Sequence, residues 1–271
     1  MQEVRHTLTT EEELFCTRYE LEILSGIVNY NRLERWVPGF CNSHTHQEHV
    51  ARYDWVKDFV KDKIVLDIAC GTGFGSYKLL VEGGAASVTG YDNDERTIRY
   101  ASLKNRHANL FFKLQDAESF GSGEQYDIIV SFETVEHLKQ PEKFLTNINR
   151  SLVANGTCFI STPISGTPEN DHPDNIYHQR EWGFGRFREL VKNFLTIEEV
   201  YLQLNDAGIT RNDFLSRVLQ KTGLKQNDRL HETLQPEPRK WDPQEIKEEL
   251  VGTQWTGYQL LQCRKKTDDG R

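Results

Sequence analysis

Four side chains in the middle of the chain have the types and the spacing of a metal site. Glu133, Glu136 and His137 stand at positions i, i+3 and i+4, so one helical turn would bring all three to a single face. Two converging carboxylates repel each other unless a cation lies between them, and His178 can supply a further nitrogen ligand. Because imidazoles join the carboxylates, the set favours manganese, iron or cobalt over magnesium, and zinc stays open.

The same side chains also allow chemistry without a metal. A metal with open positions would take two adjacent hydroxyls, lower the pKa of one and hold its oxygen in line with an electrophile. Without a metal, Glu133 or Glu136 would cap a helix, and His137 or His178 would act as a general base. The predicted catalytic residues are therefore Glu136, His137 and His178.

The other histidines are weaker candidates. His172 could replace His178 as a ligand. His44, His46 and His49 form an HxHxxH segment that is more typical of a solvated helix start than of an acceptor pocket.

A glycine-rich segment, DIACGTGFG, begins at Asp67 and could hold a nucleoside. Its glycines, Gly71, Gly73 and Gly75, would let the backbone turn sharply and approach a ligand closely. Ser76 stands where a dinucleotide-binding GxGxxG pattern needs its third glycine, so that match is incomplete. The carboxylate of Asp67 would repel a pyrophosphate, and it favours a ligand that carries an ammonium group.

Two further carboxylates could bind the ribose and the base of such a nucleoside ligand. Asp92, 25 residues after Asp67, ends the next apolar run and can accept both hydroxyls of a ribose. Asp116 follows a third apolar run and can accept the exocyclic amine of an adenine, with Ala117 beside it. An adenosine that carries an amino acid is S-adenosylmethionine, so this sulfonium compound is the expected cofactor.

These residues follow predicted strands in a region that alternates strands and helices from residue 63 onward. The predicted strands are Ile64–Ile68, Ala86–Tyr91, Leu110–Leu114, Tyr126–Ser131, Thr157–Ser161, Thr196–Leu202 and Tyr258–Cys263. The predicted helices between them are Tyr77–Val81, Glu95–Asn105, Pro141–Leu152 and Gln179–Lys192. Such alternation predicts an α/β fold with a parallel sheet and helices on both faces. Ligands of such sheets bind at the carboxyl ends of the strands.

The flanking segments predict a cap, an insertion and a tail around this region. Residues 1–46 would form an N-terminal extension, with a helix that begins at a Thr10-x-x-Glu13 capping box. The cofactor-binding domain would cover 47–204 and 254–265, opening with a helix at Gln47–Lys61. The insertion at 205–253 would carry a short helix capped by Asn212 and a second helix from Asp242, and it could form a lid over the acceptor. Residues 266–271 would form a flexible tail.

The order of these motifs resembles the class I S-adenosylmethionine-dependent methyltransferases. DIACGTGFG, Asp92, Gln115-Asp116-Ala117 and Tyr126-Asp127-Ile128-Ile129 follow one another as in that family, over about residues 47–203 and 257–265. The resemblance implies a Rossmann-like sheet whose last strand is antiparallel. It also implies the residues that bind the cofactor: Asp67, Gly71 and Gly73 at the methionine end, Asp92 at the ribose, Asp116 and Ala117 at the adenine, Ser131 and Phe132 beside the methyl group, and Tyr53 over the cofactor. Core packing is an equal alternative for Tyr53.

Three local motifs resemble narrower groups of methyltransferases and bear on the acceptor. The ExxEH set with a distant histidine is similar to that of small-RNA 3′-terminal ribose 2′-O-methyltransferases, which hold a divalent metal with it. Glu136-His137-Leu138 is similar to a segment of ubiquinone-pathway O-methyltransferases. Arg35–Gly39, His49-x-x-Arg52-Tyr53 and residues 175–182 resemble methyltransferases that are encoded with glycan-assembly enzymes.

Composition and charge limit the binding partners and the cellular compartment that we expect for this protein. The chain of 271 residues has 33 Lys and Arg against 41 Asp and Glu, a net charge of −8, which disfavours broad binding of nucleic acid without excluding it. Arg186, Arg188 and Lys192 form the basic cluster that could bind RNA phosphates. No apolar stretch is long enough to span a membrane, and no signal peptide is recognisable. Five cysteines, none spaced as CxxC, predict a cytoplasmic protein.

The sequence therefore predicts an enzyme that transfers a methyl group from S-adenosylmethionine. The leading hypothesis is an O-methyltransferase that acts on a sugar hydroxyl of a glycan or small molecule, with help from a divalent metal. One alternative is a ribose 2′-O-methyltransferase for RNA 3′ ends. Others are a metal-independent enzyme for a small quinol-type acceptor with a histidine base, and a cofactor-binding module without turnover. Oligomeric state is not indicated.

Overall fold

Helices and strands alternate along most of the computed structural model, which describes residues 7–28, 37, 43–121, 123–206, 236–252 and 255–267. The α-helices in these ranges are α1 (Thr10–Val28), α2 (Ser43–Lys57), α3 (Phe74–Val81), α4 (Glu95–Lys104), α5 (Pro141–Ser151) and α6 (Phe184–Lys192). The strands are β1 (Ile64–Ile68), β2 (Ser87–Asp92), β3 (Leu110–Leu114), β4 (Tyr126–Phe132), β5 (Leu152–Pro163), β6 (Glu169–Asn170), β7 (Glu181–Trp182), β8 (Leu195–Asp206), β9 (Arg239–Lys240) and β10 (Trp255–Lys265). None of the described helices is long and apolar enough to cross a membrane.

The main sheet has the order β3-β2-β1-β4-β5-β10-β8-β9. From β3 to β5, neighbouring strands pair in parallel. β10 lies between β5 and β8 and runs antiparallel to both, and β9 adds a short antiparallel edge. This confirms the predicted Rossmann-like α/β sheet, mostly parallel with an antiparallel last strand. The strand order reverses between β1 and β4, which is where ligands bind in such sheets.

Helices cover both faces of this sheet. On one face, Phe144 of α5 and Phe187 of α6 are fully buried in one core. On the other face, Val56 of α2 and Leu79 of α3 are fully buried in a second core. Because both faces are covered, the central strands are apolar on both sides, which explains why their sequences are continuous apolar runs.

The N-terminal helix α1 packs on α4 through a separate small core. Its capping box lies one residue earlier than the predicted Thr10-x-x-Glu13. The Glu12 backbone N–H donates to the Thr9 hydroxyl at 3.3 Å, and the Thr9 backbone N–H donates to the Glu12 carboxylate at 2.8 Å. α2 likewise begins and ends four residues before the predicted helix.

The predicted helix Gln179–Lys192 is wrong in its first turn, because α6 begins only at Phe184. Glu181 and Trp182 instead form β7, which pairs with β6. Trp182 is 2% exposed in the core beneath this pair. Burial of this large aromatic ring holds the segment extended, although its composition is compatible with a helix.

Part of the predicted insertion and tail can be compared with the structure. The helix expected from Asp242 is a single turn, in which the Asp242 carbonyl accepts from the backbone N–H groups of Glu245 and Ile246. Lys266, predicted to start the flexible tail, donates its backbone N–H to Asn149 at 2.8 Å. The helix capped by Asn212 and the Arg35–Gly39 motif, apart from the buried Val37, lie outside the described residues. The domain boundaries stay predictions.

Candidate functional site

The glycine segment forms the turn between β1 and α3. Ala69 and Gly71 have positive φ angles of 59° and 55°, and Gly73, with φ 76°, is the N-cap of α3. A Cβ atom on Gly73 would lie 2.5 Å from the ring of Phe112, so that position needs glycine for space as well as for conformation. A Cβ on Gly71 would meet no atom within 4 Å, so the backbone there borders open space among the described residues.

Asp67 is fully buried at the end of β1. Its carboxylate accepts hydrogen bonds from the Ser76 hydroxyl at 2.6 Å and from the Tyr53 hydroxyl at 3.3 Å. Burial raises the pKa of Asp67 to about 7, and these two donors oppose that shift only in part. A buried carboxylate of this kind is suited to pair with the ammonium group of a ligand.

The predicted ribose and adenine residues follow the next two strands. The Asp92 carboxylate accepts from the backbone N–H of Gly71 at 3.1 Å, which joins it to the glycine turn. It also accepts from the backbone N–H of Asp94 at 3.0 Å. Asp116 is exposed and accepts from the backbone N–H of Glu118 at 2.6 Å, and Ala117 is half-buried. Asp67 and Asp92 thus lie in the last residues of β1 and β2, and Asp116 follows β3, at one edge of the sheet.

Tyr53 belongs both to the cofactor region and to the core. Its ring would lie 1.9 Å from a Cβ on Gly75, and it packs edge-on against Phe132 with 5.2 Å between ring centroids. Next to Phe132, the buried hydroxyl of Ser131 has no hydrogen-bond partner among the described residues. The open space at Gly71, the buried acid Asp67 and this unpaired hydroxyl fit a bound adenosyl amino acid.

Three of the four predicted metal ligands converge. One ligand atom each of Glu136, His137 and His178 lies within 4.8 Å of the others. Glu136 is fully buried, and its Oε2 accepts from the Thr162 hydroxyl at 3.2 Å. Its Oε1 has no hydrogen-bond partner in the described part of the chain. Burial raises the pKa of Glu136 well above its usual range, and the charge of Glu133 adds to the shift.

The two histidines are oriented by hydrogen bonds at Nδ1. His137 Nδ1 lies 3.1 Å from the Tyr177 carbonyl oxygen, and His178 Nδ1 lies 2.6 Å from a carboxylate oxygen of Glu181. Both partners are acceptors, so Nδ1 carries the proton in each neutral ring and Nε2 carries the lone pair. Asn175 lies 3.0 Å from His178 Nε2 through its amide nitrogen, and the two imidazoles pack edge-on at 4.8 Å.

The turn that carries Glu136 is tied to the segment that carries His178. The Glu136 carbonyl accepts from the backbone N–H groups of Gln179 and Arg180 at 2.7 and 3.2 Å. These backbone bonds bring together two segments about 40 residues apart in sequence, as the predicted convergence at one sheet edge requires.

Glu133 is the exception, because its carboxylate is not among the converging ligand atoms, although its charge still acts on Glu136. It has a positive φ of 52°, and the turn after it is a 3₁₀ helix at Val135–His137, so the predicted shared helical face does not form. Its carboxylate accepts from the Ser161 hydroxyl at 2.6 Å. Ser161 and Thr162 are consecutive in β5 and point to opposite sides, so Glu133 and Glu136 contact opposite sides of that strand.

Several residues at this sheet edge are not among the sequence predictions. Thr162 and Glu181 orient Glu136 and His178, and Asn175 contacts His178. Arg52 lies 3.6 Å from Glu133. The sequence signal for Glu181 is its position three residues after His178, a spacing that also suits a helix cap. Arg52 stands in the His49-x-x-Arg52-Tyr53 motif, but that motif gives no sign that its side chain is buried beside Glu133.

The remaining histidines lie elsewhere. His172 is exposed and is outside the converging group. His49 does not belong to a solvated helix start: burial, together with the charge of Arg52, lowers its pKa to about 3. The side chain of His44 lies outside the described residues.

Comparison with known proteins agrees with this architecture. Residues 59–208 match the model of a family described as a methyltransferase domain. A relative from Mycolicibacterium smegmatis named "Probable S-adenosylmethionine-dependent methyltransferase" is 30% identical over 190 residues, which cover 66% of this chain and 70% of the relative. A ubiquinone biosynthesis O-methyltransferase from Hydrogenovibrio crunogenus is 28% identical over 51% of this chain and 60% of its own length. For two relatives from Mycobacterium tuberculosis the matched share is 54% of their length.

A solved structure has the same fold. It is an N-methyltransferase from Bradyrhizobium japonicum in complex with S-adenosylhomocysteine, with a TM-score of 0.55 and 14% identity, and the match covers 93% of this chain and 99% of that one. Together with the sheet order, the glycine turn and the three carboxylates, the family match over more than half of the chain settles its membership. The chain belongs to the class I S-adenosylmethionine-dependent methyltransferases.

Proposed function

We propose that this methyltransferase transfers a methyl group to a sugar hydroxyl, with a divalent metal held by Glu136, His137 and His178. The observation that carries the proposal is the convergence of one carboxylate and two imidazoles within 4.8 Å beside the end of β4. Ser131 and Phe132, the predicted neighbours of the reactive methyl group, end that strand. The converging side chains therefore lie at the edge of the sheet where an acceptor has to meet the cofactor.

The surroundings of the three side chains fit a cation. Metal-binding histidines usually donate their second ring N–H to a carboxylate or a carbonyl, as His178 does to Glu181 and His137 to the Tyr177 carbonyl. A buried carboxylate oxygen without a partner is costly, and a cation would satisfy Oε1 of Glu136. With two imidazoles and one carboxylate, the donor set suits manganese, iron or cobalt better than magnesium.

A bound divalent metal would supply Lewis acidity, which lowers the pKa of a coordinated hydroxyl. The chain contributes the positioning. Thr162 fixes the Glu136 carboxylate, and Glu181 fixes the ring of His178. The fully buried position of Glu136 keeps water away from its carboxylate, which strengthens the electrostatic interactions there.

The choice of a sugar hydroxyl rests on three arguments. A metal with open positions can take two adjacent hydroxyls, and sugars present such pairs. The name of the Hydrogenovibrio crunogenus relative refers to O-methylation, which supports oxygen as the acceptor atom. Against an RNA 3′ end, Arg186 pairs with Glu169 and Glu189, and Arg188 pairs with Glu248.

Metal binding is tested first, by calorimetric titration of the metal-free full chain with Mn²⁺. We expect one site in the wild type and a loss of affinity of about tenfold or more in Glu136→Gln and His178→Asn. His172→Asn is the matched control, because His172 is exposed and lies outside the converging group. No Mn²⁺ binding, or equal binding in all variants, would refute the metal site.

Turnover is tested by release of S-adenosylhomocysteine with a panel of acceptors. Sugars with vicinal diols are compared with quinols and with RNA that carries a 3′-terminal diol. We expect sugar acceptors to react, the reaction to stop in excess EDTA, and added Mn²⁺ to restore it. Turnover on quinols alone would reject the sugar acceptor, and undiminished turnover in EDTA would reject the metal.

A metal-independent histidine base is the second candidate, and one observation favours it. The 2.6 Å contact of His178 Nδ1 with Glu181 would also stabilise a protonated imidazole after it takes a proton through Nε2. Asn175, which lies 3.0 Å from this Nε2, would have to move for either role. Turnover that resists EDTA but is lost in His178→Asn would support this candidate.

A further inference from the structure

Arg52 of α2 is held rigidly beside the proposed metal site. Its side chain is 1% exposed. Its Nε donates to Gln203 Oε1 of β8 at 2.7 Å, and its guanidinium lies 4.1 Å from the centre of the Tyr258 ring of β10. Gln203 is itself fixed, because its amide nitrogen donates to the backbone carbonyls of Glu48 and Pro236. Three elements therefore fix the position of this guanidinium.

The two terminal nitrogens of Arg52 donate no hydrogen bond to the described residues. Neither Nη1 nor Nη2 has a hydrogen-bond partner there, although both are buried. The Glu133 carboxylate lies 3.6 Å from Nη1, which is too long for a hydrogen bond. Buried donors of this strength are rarely left unpaired, so both nitrogens are suited to donate to an oxygen of a bound acceptor.

The surrounding charges decide which group fits. Glu133 lies 3.6 Å from Nη1 of Arg52, so one carboxylate already faces the guanidinium. The Glu133 charge offsets that of Arg52, so a phosphate or carboxylate would gain little net attraction and would be repelled by Glu133. A neutral hydroxyl can accept from Arg52 and donate to Glu133 at the same time.

The position of this pair relates it to the methyl donor. Arg52 precedes Tyr53, whose hydroxyl donates to Asp67, and Glu133 follows Phe132 at the end of β4. Glu133 keeps 17% of its side chain exposed, so the pair reaches the surface through this carboxylate. Glu133 contacts β5 through the Ser161 hydroxyl, whereas Glu136 contacts it through the Thr162 hydroxyl on the opposite side of the strand.

We propose that Arg52 and Glu133, with the Tyr258 ring, form a second acceptor subsite that binds the hydroxyls of a neutral sugar ring. This inference rests on the proposed function, because it names the substrate class of the same enzyme. The subsite holds the part of the acceptor away from the metal, and it selects neutral polyols over phosphorylated ones. It does not require the metal for binding.

Saturation-transfer NMR on the full chain loaded with S-adenosylhomocysteine tests this subsite in EDTA. The probes are methyl α-D-glucopyranoside, methyl α-D-mannopyranoside and glucose 6-phosphate. We expect transfer to at least one of the two methyl glycosides, and weaker or no transfer to the phosphate. Arg52→Lys keeps the positive charge but loses the planar set of N–H donors of the guanidinium, and Arg52→Met loses both. The glycoside signals should therefore fall about tenfold or more in each variant.

Signals from S-adenosylhomocysteine in the same samples report whether each variant is folded. If Arg52→Met fails this check, Glu133→Gln serves as the second variant, because it keeps the size of the side chain and removes one acceptor. The subsite is refuted if the wild type gives no glycoside signal, if the folded variants give the wild-type signal, or if glucose 6-phosphate binds more tightly. Because EDTA is present, loss of the metal proposal would leave this result unchanged.

Discussion

The charge of Asp67 should control the affinity for the cofactor. Burial raises its pKa to about 7, so the empty protein gains a proton there below neutral pH. If the ammonium group of S-adenosylmethionine pairs with the ionised form, each pH unit below 7 weakens binding up to tenfold. We expect the dissociation constant by calorimetry to be about tenfold higher at pH 6 than at pH 7.5.

Asp67→Asn is the control for this pH dependence. It keeps the shape of the side chain and removes the titration, so cofactor binding should be weaker and almost independent of pH over the same range. A wild-type dissociation constant that does not change between pH 6 and pH 7.5 would show that Asp67 does not pair with the ammonium group.

Glu181 should affect metal binding without touching the metal. It orients His178 through the 2.6 Å contact at Nδ1, and loss of such an outer partner typically lowers metal affinity 10- to 100-fold. We therefore expect Glu181→Gln to weaken Mn²⁺ binding by about that factor, while affinity for S-adenosylmethionine stays the same. Both are measured by calorimetry.

Glu169→Gln is a matched control for this variant. Glu169 lies in β6, the partner strand of β7, and it pairs with Arg180 at 3.0 Å rather than with a histidine. Equal Mn²⁺ affinities of the two variants would mean that the orientation of His178 is unimportant.

In the turn between β1 and α3, two positions require glycine for different reasons. Gly75 needs space, because a Cβ there would lie 1.9 Å from the Tyr53 ring, and that ring is held by its hydroxyl on Asp67. Gly71 needs a positive φ of 55° but has open space around its Cβ position. The two positions should therefore respond differently to alanine.

We expect Gly75→Ala to lower the free energy of unfolding by about 2–3 kcal/mol, because the core around Tyr53 is overpacked. The thermal midpoint should fall by roughly 5–10 °C. Gly71→Ala should cost only about 1–2 kcal/mol of backbone strain but should weaken binding of S-adenosylmethionine more strongly, since its methyl group enters the cofactor space. Thermal melts with and without the cofactor compare them, and equal destabilisation by both would contradict this distinction.

Sequence patterns predict the strands well where a short apolar run is bounded by polar or turn-forming residues. Ile64–Ile68 and Leu110–Leu114 have the predicted bounds, and Ser87–Asp92 is shifted by one residue. The pattern fails where a distant partner sets the backbone. Glu181 and Trp182 form a strand rather than a helical turn because Trp182 is buried beside β6. Glu133 does not join the predicted helical face because its φ is positive.

The proposed second subsite is the part that sequence reasoning could not assemble. Arg52, Gln203 and Tyr258 come from α2, β8 and β10, and 151 residues separate the first two. No spacing rule links residues so far apart, and their contact depends on the antiparallel insertion of β10 beside β8. The cofactor side was predictable because its carboxylates follow consecutive strands, a regularity of parallel sheets.

The charge of the whole chain predicts weak binding to RNA. The net charge is −8, and the basic cluster on α6 is neutralised in part by Glu169, Glu189 and Glu248. Non-specific binding depends on cations that replace the counterions of the phosphates. By fluorescence anisotropy with a labelled 20-nucleotide single-stranded RNA, we therefore expect a dissociation constant weaker than about 10⁻⁴ M at physiological salt.

A double variant, Glu169→Gln with Glu248→Gln, tests whether the pairing of these acids with the basic cluster causes the weak RNA binding. It removes the Glu248 partner of Arg188 and one of the two acidic partners of Arg186, which keeps Glu189, so RNA binding should become measurable and should weaken as salt is raised. Micromolar binding by the wild type, with a steep salt dependence, would contradict the prediction. It would also make the RNA 3′ end the leading candidate among the acceptors, because the proposed metal-binding side chains could act on a terminal ribose.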